Sequence, residues 1–129
     1  MATVVIDDNE FVNVKLAISE EEQKQGLKNV RNPMLMAFPY KRAGIRKFWM
    51  HDTPAPLDII FCNGTKVIYI GKGEPYNAKT LIGPDAACTL VLEAPAGFVI
   101  SNNIKVGSYL RVKYSSVELM YLLRNGSPR

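Results

Sequence analysis

Leu57-Asp58-Ile59-Ile60-Phe61-Cys62-Asn63-Gly64-Thr65-Lys66-Val67-Ile68-Tyr69-Ile70 sets two apolar runs on either side of Asn63-Gly64. Asn-Gly between such runs is the strongest short hairpin signal, because both central residues of a type I′ turn take positive φ. The stretch reads as two antiparallel strands, and its neighbours continue the pattern. Val12, Val14, Leu16 and Ile18 alternate with Asn13, Lys15 and Ala17, the period of a half-buried strand. Met34-Leu35-Met36-Ala37-Phe38, bracketed by Pro33 and Pro39, reads as a strand, as do Phe48-Trp49-Met50, residues 88–94 and residues 109–114. Between them, Lys41-Arg42-Ala43-Gly44-Ile45-Arg46-Lys47 reads as a solvated basic loop. Residues 71–87, with Gly71, Gly73, Pro75, Gly83 and Pro84, read as a long irregular loop of the kind that often carries function.

Helix signals occur twice. Ser19-Glu20-Glu21-Glu22 and Ser115-Ser116-Val117-Glu118 both have the S-x-x-E form, in which a serine N-cap and a glutamate three residues on satisfy each other's backbone N–H. The first predicts a short helix near residues 19–29. The second predicts a C-terminal helix near 116–125, with Gly126 placed to end it. Leu119, Met120, Leu122 and Leu123 are too apolar to face water, so that helix is expected to pack on the body or on another protein. The expected fold is mainly β, a single-domain β-sandwich or barrel with these two helices. It divides into a β domain over residues 1–114 and a C-terminal helix and tail over 115–129.

Composition sets the outer limits. The chain has 129 residues, 47% hydrophobic and 22% charged, enough to bury roughly two-thirds of its unfolded surface without metal or disulfide staples. No apolar run approaches the roughly 18 residues of a membrane span. The net charge of +4 is mildly basic, and nucleic acid is the weakest of the partner classes it admits. Met1-Ala2-Thr3-Val4-Val5-Ile6-Asp7-Asp8 lacks the basic start of a signal peptide, so a cytoplasmic setting, or a virion, is expected. Cys62 and Cys88 lie far apart in apolar surroundings and His51 is the only histidine, which predicts free buried thiols and neither metal nor cofactor.

The residues that invite chemistry are few. Gly71-Lys72-Gly73 lacks the frame of a phosphate loop, and no nucleophile elbow or zinc-protease motif occurs, so no catalytic residue is assigned. Asp58 and Glu93, however, sit inside apolar strand patterns, where a carboxylate is costly unless paired or hydrogen-bonded. Each reads as a bracket tying loops together, or as a polar focus in an apolar pocket. Trp49 is the only tryptophan, and its ordinary role is core packing; its functional role is a flat wall for a ligand. His51, next to Asp52, is a candidate for titration near neutrality.

These stretches converge on a familiar pattern. Gln25-Gly26-Leu27, then Phe48-Trp49-Met50-x-x-Thr53-x-x-Pro56-Leu57-Asp58-Ile59-Ile60-Phe61, then Val91-Leu92-Glu93-Ala94-x-Ala96-Gly97, then Ile104-x-x-Gly107 resemble the domain-of-unknown-function 192 family over roughly residues 14–112. The resemblance implies a mainly β sandwich or barrel and no established activity. Family members occur in bacteria and archaea, often with export signals, and related genes occur in phages. His51-Asp52 stands where the family usually has Lys-Asn. Pro33-Met34-Leu35-Met36-Ala37-Phe38 replaces its Gly-Met-x-Phe run, and Gly26-Leu27-Lys28-Asn29-Val30-Arg31 its Gly-Leu-Met-x-Arg element. These departures imply that any activity tied to the Lys-Asn pair is lost or altered here, and the missing signal and appended helix are expected of a specialised setting such as a phage.

Three functions compete on this evidence. One is a noncatalytic interaction or assembly component, such as a virion structural protein, acting through a protein partner or self-association at the C-terminal helix. Another is a small-ligand or peptide-binding domain with a site near Trp49, His51, Asp58 and Glu93. The third is a hydrolase or lyase using the buried carboxylates as acid or base.

Overall fold

Residues 1–126 are described by a computed structural model. Along the chain lie β1 (Ala2–Ile6), β2 (Asn9–Leu16), α1 (Glu20–Gln25), β3 (Met36–Ile45), β4 (Leu57–Asn63), β5 (Lys66–Gly73), β6 (Ala87–Pro95), α2 (Phe98–Ser101), β7 (Leu110–Lys113) and α3 (Ser116–Asn125). The last three residues of the expected C-terminal tail fall outside the described residues. The strands form one sheet in the order β5-β4-β6-β3-β2-β1-β7. Its pairs are antiparallel except β2 with β3. A parallel pair needs a long crossover, and residues 17–35, with α1, supply it.

The two ends of this order meet. Leu110 N–H donates to Thr65 O (2.8 Å), Val67 N–H to Ser108 O (2.9 Å) and Gly107 N–H to Val67 O (2.8 Å). These bonds bring the start of β5 against the approach to β7 and roll the sheet towards a barrel. Of the two architectures expected, the barrel is therefore the closer description. Its interior takes a side chain from every strand: Val4 and Ile6, Val14, Ala37, Ile60 and Cys62, Val67, Leu90 and Leu92, and Leu110.

A second core covers the outer face of β3, β4 and β6. It holds Met36, Phe38, Leu57, Ile59, Phe61 and Val91, and from outside the sheet Leu27, Met50 and Ala55. This explains why Leu57 through Cys62 are all buried. A strand packed on both faces loses the polar alternation of a half-exposed one. The outer layer is a strap, residues 46–56. Phe48 exchanges backbone hydrogen bonds with Ile82 (2.8 and 2.7 Å), and Met50 N–H donates to Asn77 O (3.0 Å). The strap crosses β5 so closely that a Cβ on Gly73 would run into Met50, and one on Gly71 would run into Ile82, which is bridged to the strap at Phe48. Those glycines belong to β5 rather than to an irregular loop, and their lack of a side chain is what admits the strap.

Other local readings shift in instructive ways. The β4–β5 hairpin forms, but Asn63 pairs with Lys66, so its two-residue loop is Gly64-Thr65. Gly64 has φ +62 and Thr65 is not among the positive-φ residues, the requirement of a type II′ turn rather than the expected I′. The basic stretch expected as a loop continues β3 as far as Ile45. Phe48-Trp49-Met50, expected as a strand, makes only the isolated bridge at Phe48. Both capping boxes form at Ser19–Glu22 and Ser115–Glu118. α1 stops early at Gln25, because Gly26 turns out of the helix at φ +48.

Candidate functional site

A cleft of about 570 Å³ opens between α1 and the strap, over the outer face of β3 and β6. Phe38, Tyr40 and Phe48 form its aromatic base, Trp49 and Thr53 one side, and Gly26 and Leu27 the other. Lys24, Lys28, Arg46 and Lys47 make the rim basic, against Glu20 alone. The size falls in the range of small-molecule sites, about 300–1,000 Å³.

Glu93 lies at the bottom. It pairs with Met36 of β3 on one side and Ile59 of β4 on the other. Cross-strand partners share a face, so its side chain joins Met36 and Ile59 in the outer core. Its Oε1 reaches up to Gly26, 3.7 Å from where a Cβ on that glycine would stand. Glu93 is 4% exposed, and no side chain or backbone N–H among the described residues hydrogen-bonds its carboxyl. Burial alone pushes that carboxyl up to about 8, because the charged form has lost water and gained no counter-charge. It is therefore a protonated acid at neutral pH.

Beside it, Tyr40 lies under Arg46, whose guanidinium sits 3.9 Å from the ring centroid. Burial also drives the Tyr40 phenol well above its ordinary range. Lys47 is engaged elsewhere, donating to Gly83 O (2.7 Å) and pairing with Asp85 (2.8 Å). Lys24 pairs loosely with Glu20 at 3.7 Å.

Trp49 is 47% exposed, so its ordinary expected role in the core is not the one it takes. Phe48 and Met50 fill the interior on either side of it. His51 stacks on the indole, with centroids 4.8 Å apart and planes at 28°. Its Nε2 lies 3.2 Å from Asp52 Oδ2. The strap holds this geometry through Asn29 N–H to Asp52 O (2.8 Å), Thr53 N–H to Met50 O (3.1 Å) and the Thr53 hydroxyl to His51 O (3.1 Å). His51 thus braces Trp49 from outside the cleft.

Asp58 stands apart from the other three expected residues. It pairs with Ala94, one residue out of step with Glu93, and so points through the opposite face of the sheet. Its Oδ2 accepts from Gly97 N–H (3.1 Å) and Val99 N–H (3.0 Å), holding the first turn of α2 on the end of the barrel. Of the four residues, then, Trp49 and Glu93 share the cleft, His51 supports it, and Asp58 ties a helix to the barrel. Sequence reasoning passed over Gly26, Phe38 and Tyr40, which line the same cleft. The positive φ that frees Gly26 to lie over Glu93 leaves no periodic signal.

Cys62 and Cys88 are buried free thiols, and burial pushes the Cys62 thiol up to about 12. Among the described residues, no group of three or more His, Cys, Asp or Glu side chains is arranged to hold a metal ion. None of their helices is long and apolar enough to cross a membrane.

No curated protein matches the chain in sequence. Among solved structures, a protein of unknown function from Novosphingobium aromaticivorans DSM 12444 superposes with a TM-score of 0.74 at 28% identity, covering 85% of this chain and 82% of that one. A Sinorhizobium meliloti 1021 protein described as a "putative transcription regulator" superposes with a TM-score of 0.77, covering 86% and 92%. At 24% identity it shares the fold alone. The model of the DUF192 family, "Uncharacterized ACR", matches residues 2–112, every strand but the last residue of β7, and the chain belongs to that family.

Proposed function

We propose that this protein is a small-ligand-binding domain whose site is the cleft over Glu93, with Trp49 as its outer wall. The observation that carries the reading is the Glu93 carboxyl, 4% exposed and without a hydrogen-bond partner among the described residues, at the bottom of an open cleft. Buried polar groups are normally satisfied. One left unsatisfied at a pocket floor is suited to a partner that arrives from solution. The aromatic base supplies contact area. Asp58 is not part of the proposed site, and a mechanism that joins the two carboxylates finds them on opposite faces of the sheet. Native mass spectrometry of freshly purified protein is expected to show a small bound mass. Trp49 fluorescence should respond when that compound is added back. Protein that carries no adduct and shows no Trp49 or Tm response to a metabolite panel would remove this reading.

A second reading rests on α3. Val117, Met120 and Leu123 are 78%, 51% and 63% exposed on that helix, an apolar surface of the kind that marks association. It supports self-association or a protein partner, the assembly role expected from the sequence. Neither structural relative is described as a virion or phage protein.

A further inference from the structure

From the chemistry around Glu93 we infer the class of ligand: a small zwitterion that presents an ammonium or guanidinium head to Glu93 and an anionic group to the basic rim. The inference rests on the binding role proposed above and deepens it. The floor of the cleft offers one carboxyl with no donor from the protein, set among the Phe38, Tyr40 and Phe48 rings. A cation docked there finds the counter-charge that burial denied the carboxylate, with aromatic surface around it. A neutral head would gain only an ordinary hydrogen bond from the protonated acid, weaker than a charge-assisted pair. The rim reverses the sign. Lys28 makes no ion pair among the described residues and stands on the same rim as Lys24 and Lys47, with Glu20 the acid beside them. A purely cationic ligand would be repelled there, whereas one with a carboxylate or phosphate at its far end is held at both ends.

Binding then moves one proton. Free Glu93 holds it at neutral pH; the cationic head pairs with the carboxylate, and the proton leaves to the buffer. The titratable and charged groups that line the cleft with Glu93 are Glu20 and Lys24 from α1, Lys28 after it, Tyr40 from β3, and Arg46 and Lys47 from the strap.

The test uses L-arginine and L-lysine as probes, with L-citrulline (a neutral head of the same length) and agmatine (no carboxylate) as controls. Titration calorimetry at pH 7 in phosphate and in Tris reads the proton count. Arginine or lysine is expected to bind with release of about one proton, and release should fall towards zero well above pH 8. Citrulline and agmatine should each bind about tenfold or more weakly than arginine, and Glu93→Gln should weaken arginine about as much without lowering Tm. Citrulline binding as tightly as arginine, or Glu93→Gln leaving arginine binding unchanged, would overturn the cationic head while the binding role stands. Agmatine matching arginine would overturn the anionic end. Silence from every probe overturns the inference, and the binding role then falls too only if native mass spectrometry also shows no adduct.

Discussion

Glu93 and Asp58 are both buried carboxylates on apolar strands, 4% and 3% exposed, yet one residue of register gives them opposite tasks. Asp58 accepts two backbone N–H groups of the α2 turn, so its burial is matched by charge-assisted bonds. Asp58→Ala should lower stability by about 2–4 kcal/mol, since two N–H groups then lose their acceptor. The compound that native mass spectrometry finds should bind as before, which chemical denaturation and a titration of that compound on the variant would check. Glu93 makes no such bonds, and its carboxyl keeps its proton up to about 8. The unfolded chain releases that proton near the ordinary glutamate value of 4.5. Between these two values the native state holds more protons than the unfolded state, so stability falls as pH rises. The fall should be on the order of 4 kcal/mol. Asp7 and Glu22, held below the usual carboxylate range by hydrogen bonds, act the other way, adding stability as pH rises through the acid range. The native protein should therefore be most stable near pH 5. Glu93→Gln should lose the decline between pH 5 and 8, as urea denaturation across that range would read; an unchanged decline would place its cause elsewhere.

At the scale of elements, the strap decides what the cleft is. Its course depends on Gly71 and Gly73, whose missing side chains let Ile82 and Met50 press against β5. Neither glycine needs a positive φ, so their requirement is space. Gly73→Ala should cost about 1–3 kcal/mol by overpacking. It should also shift Trp49 emission, because the strap that lifts away from β5 carries the indole. An alanine variant with native stability and emission would show that Met50 repacks freely. The sequence made much of this scale legible and missed the rest for identifiable reasons. α1 and α3 were readable because a capping box is a contact between neighbours in the chain, whereas α2, with no side-chain cap, was not. The hairpin was readable too, but Gly64 alone takes positive φ, so the loop slid one residue along. The strap was misread as a strand because Phe48, Trp49 and Met50 do alternate inward and outward. They do so against β5 and the 74–86 segment through isolated contacts rather than a ladder. The Asp58 and Glu93 sequence patterns were equally anomalous. Only the register Ile59↔Glu93 and Asp58↔Ala94 separates their faces, and register between strands distant in sequence is not written in either one.

Across the whole molecule, closure of the sheet and the placement of α3 belong together. The bonds between residues 65–67 and 107–110 leave little free edge at that end of the barrel, so edge-to-edge strand pairing is a poor route to assembly there. Among the exposed apolar side chains, Val117, Leu119, Met120 and Leu123 gather on α3. The helix is anchored by polar contacts: the Tyr121 hydroxyl donates to Glu22 (3.2 Å), and the chain's N-terminal amine lies 3.7 Å from Glu118. None of its residues is fully buried. Val117, Leu119, Met120 and Leu123 therefore contribute little to the fold, while exposing an apolar face to solvent. Replacing Val117 and Leu123 together with Glu should change stability by no more than about 1 kcal/mol, as exposed helix positions generally do. If this face joins copies of the chain, full-length protein should run as an oligomer in sedimentation and the double variant as a monomer with the same Tm. A full-length protein that is already monomeric would rule out self-association at this face. A variant that stays oligomeric would move the interface away from α3. Neither Val117 nor Leu123 lines the cleft, so the double variant should keep the Trp49 response to bound ligand.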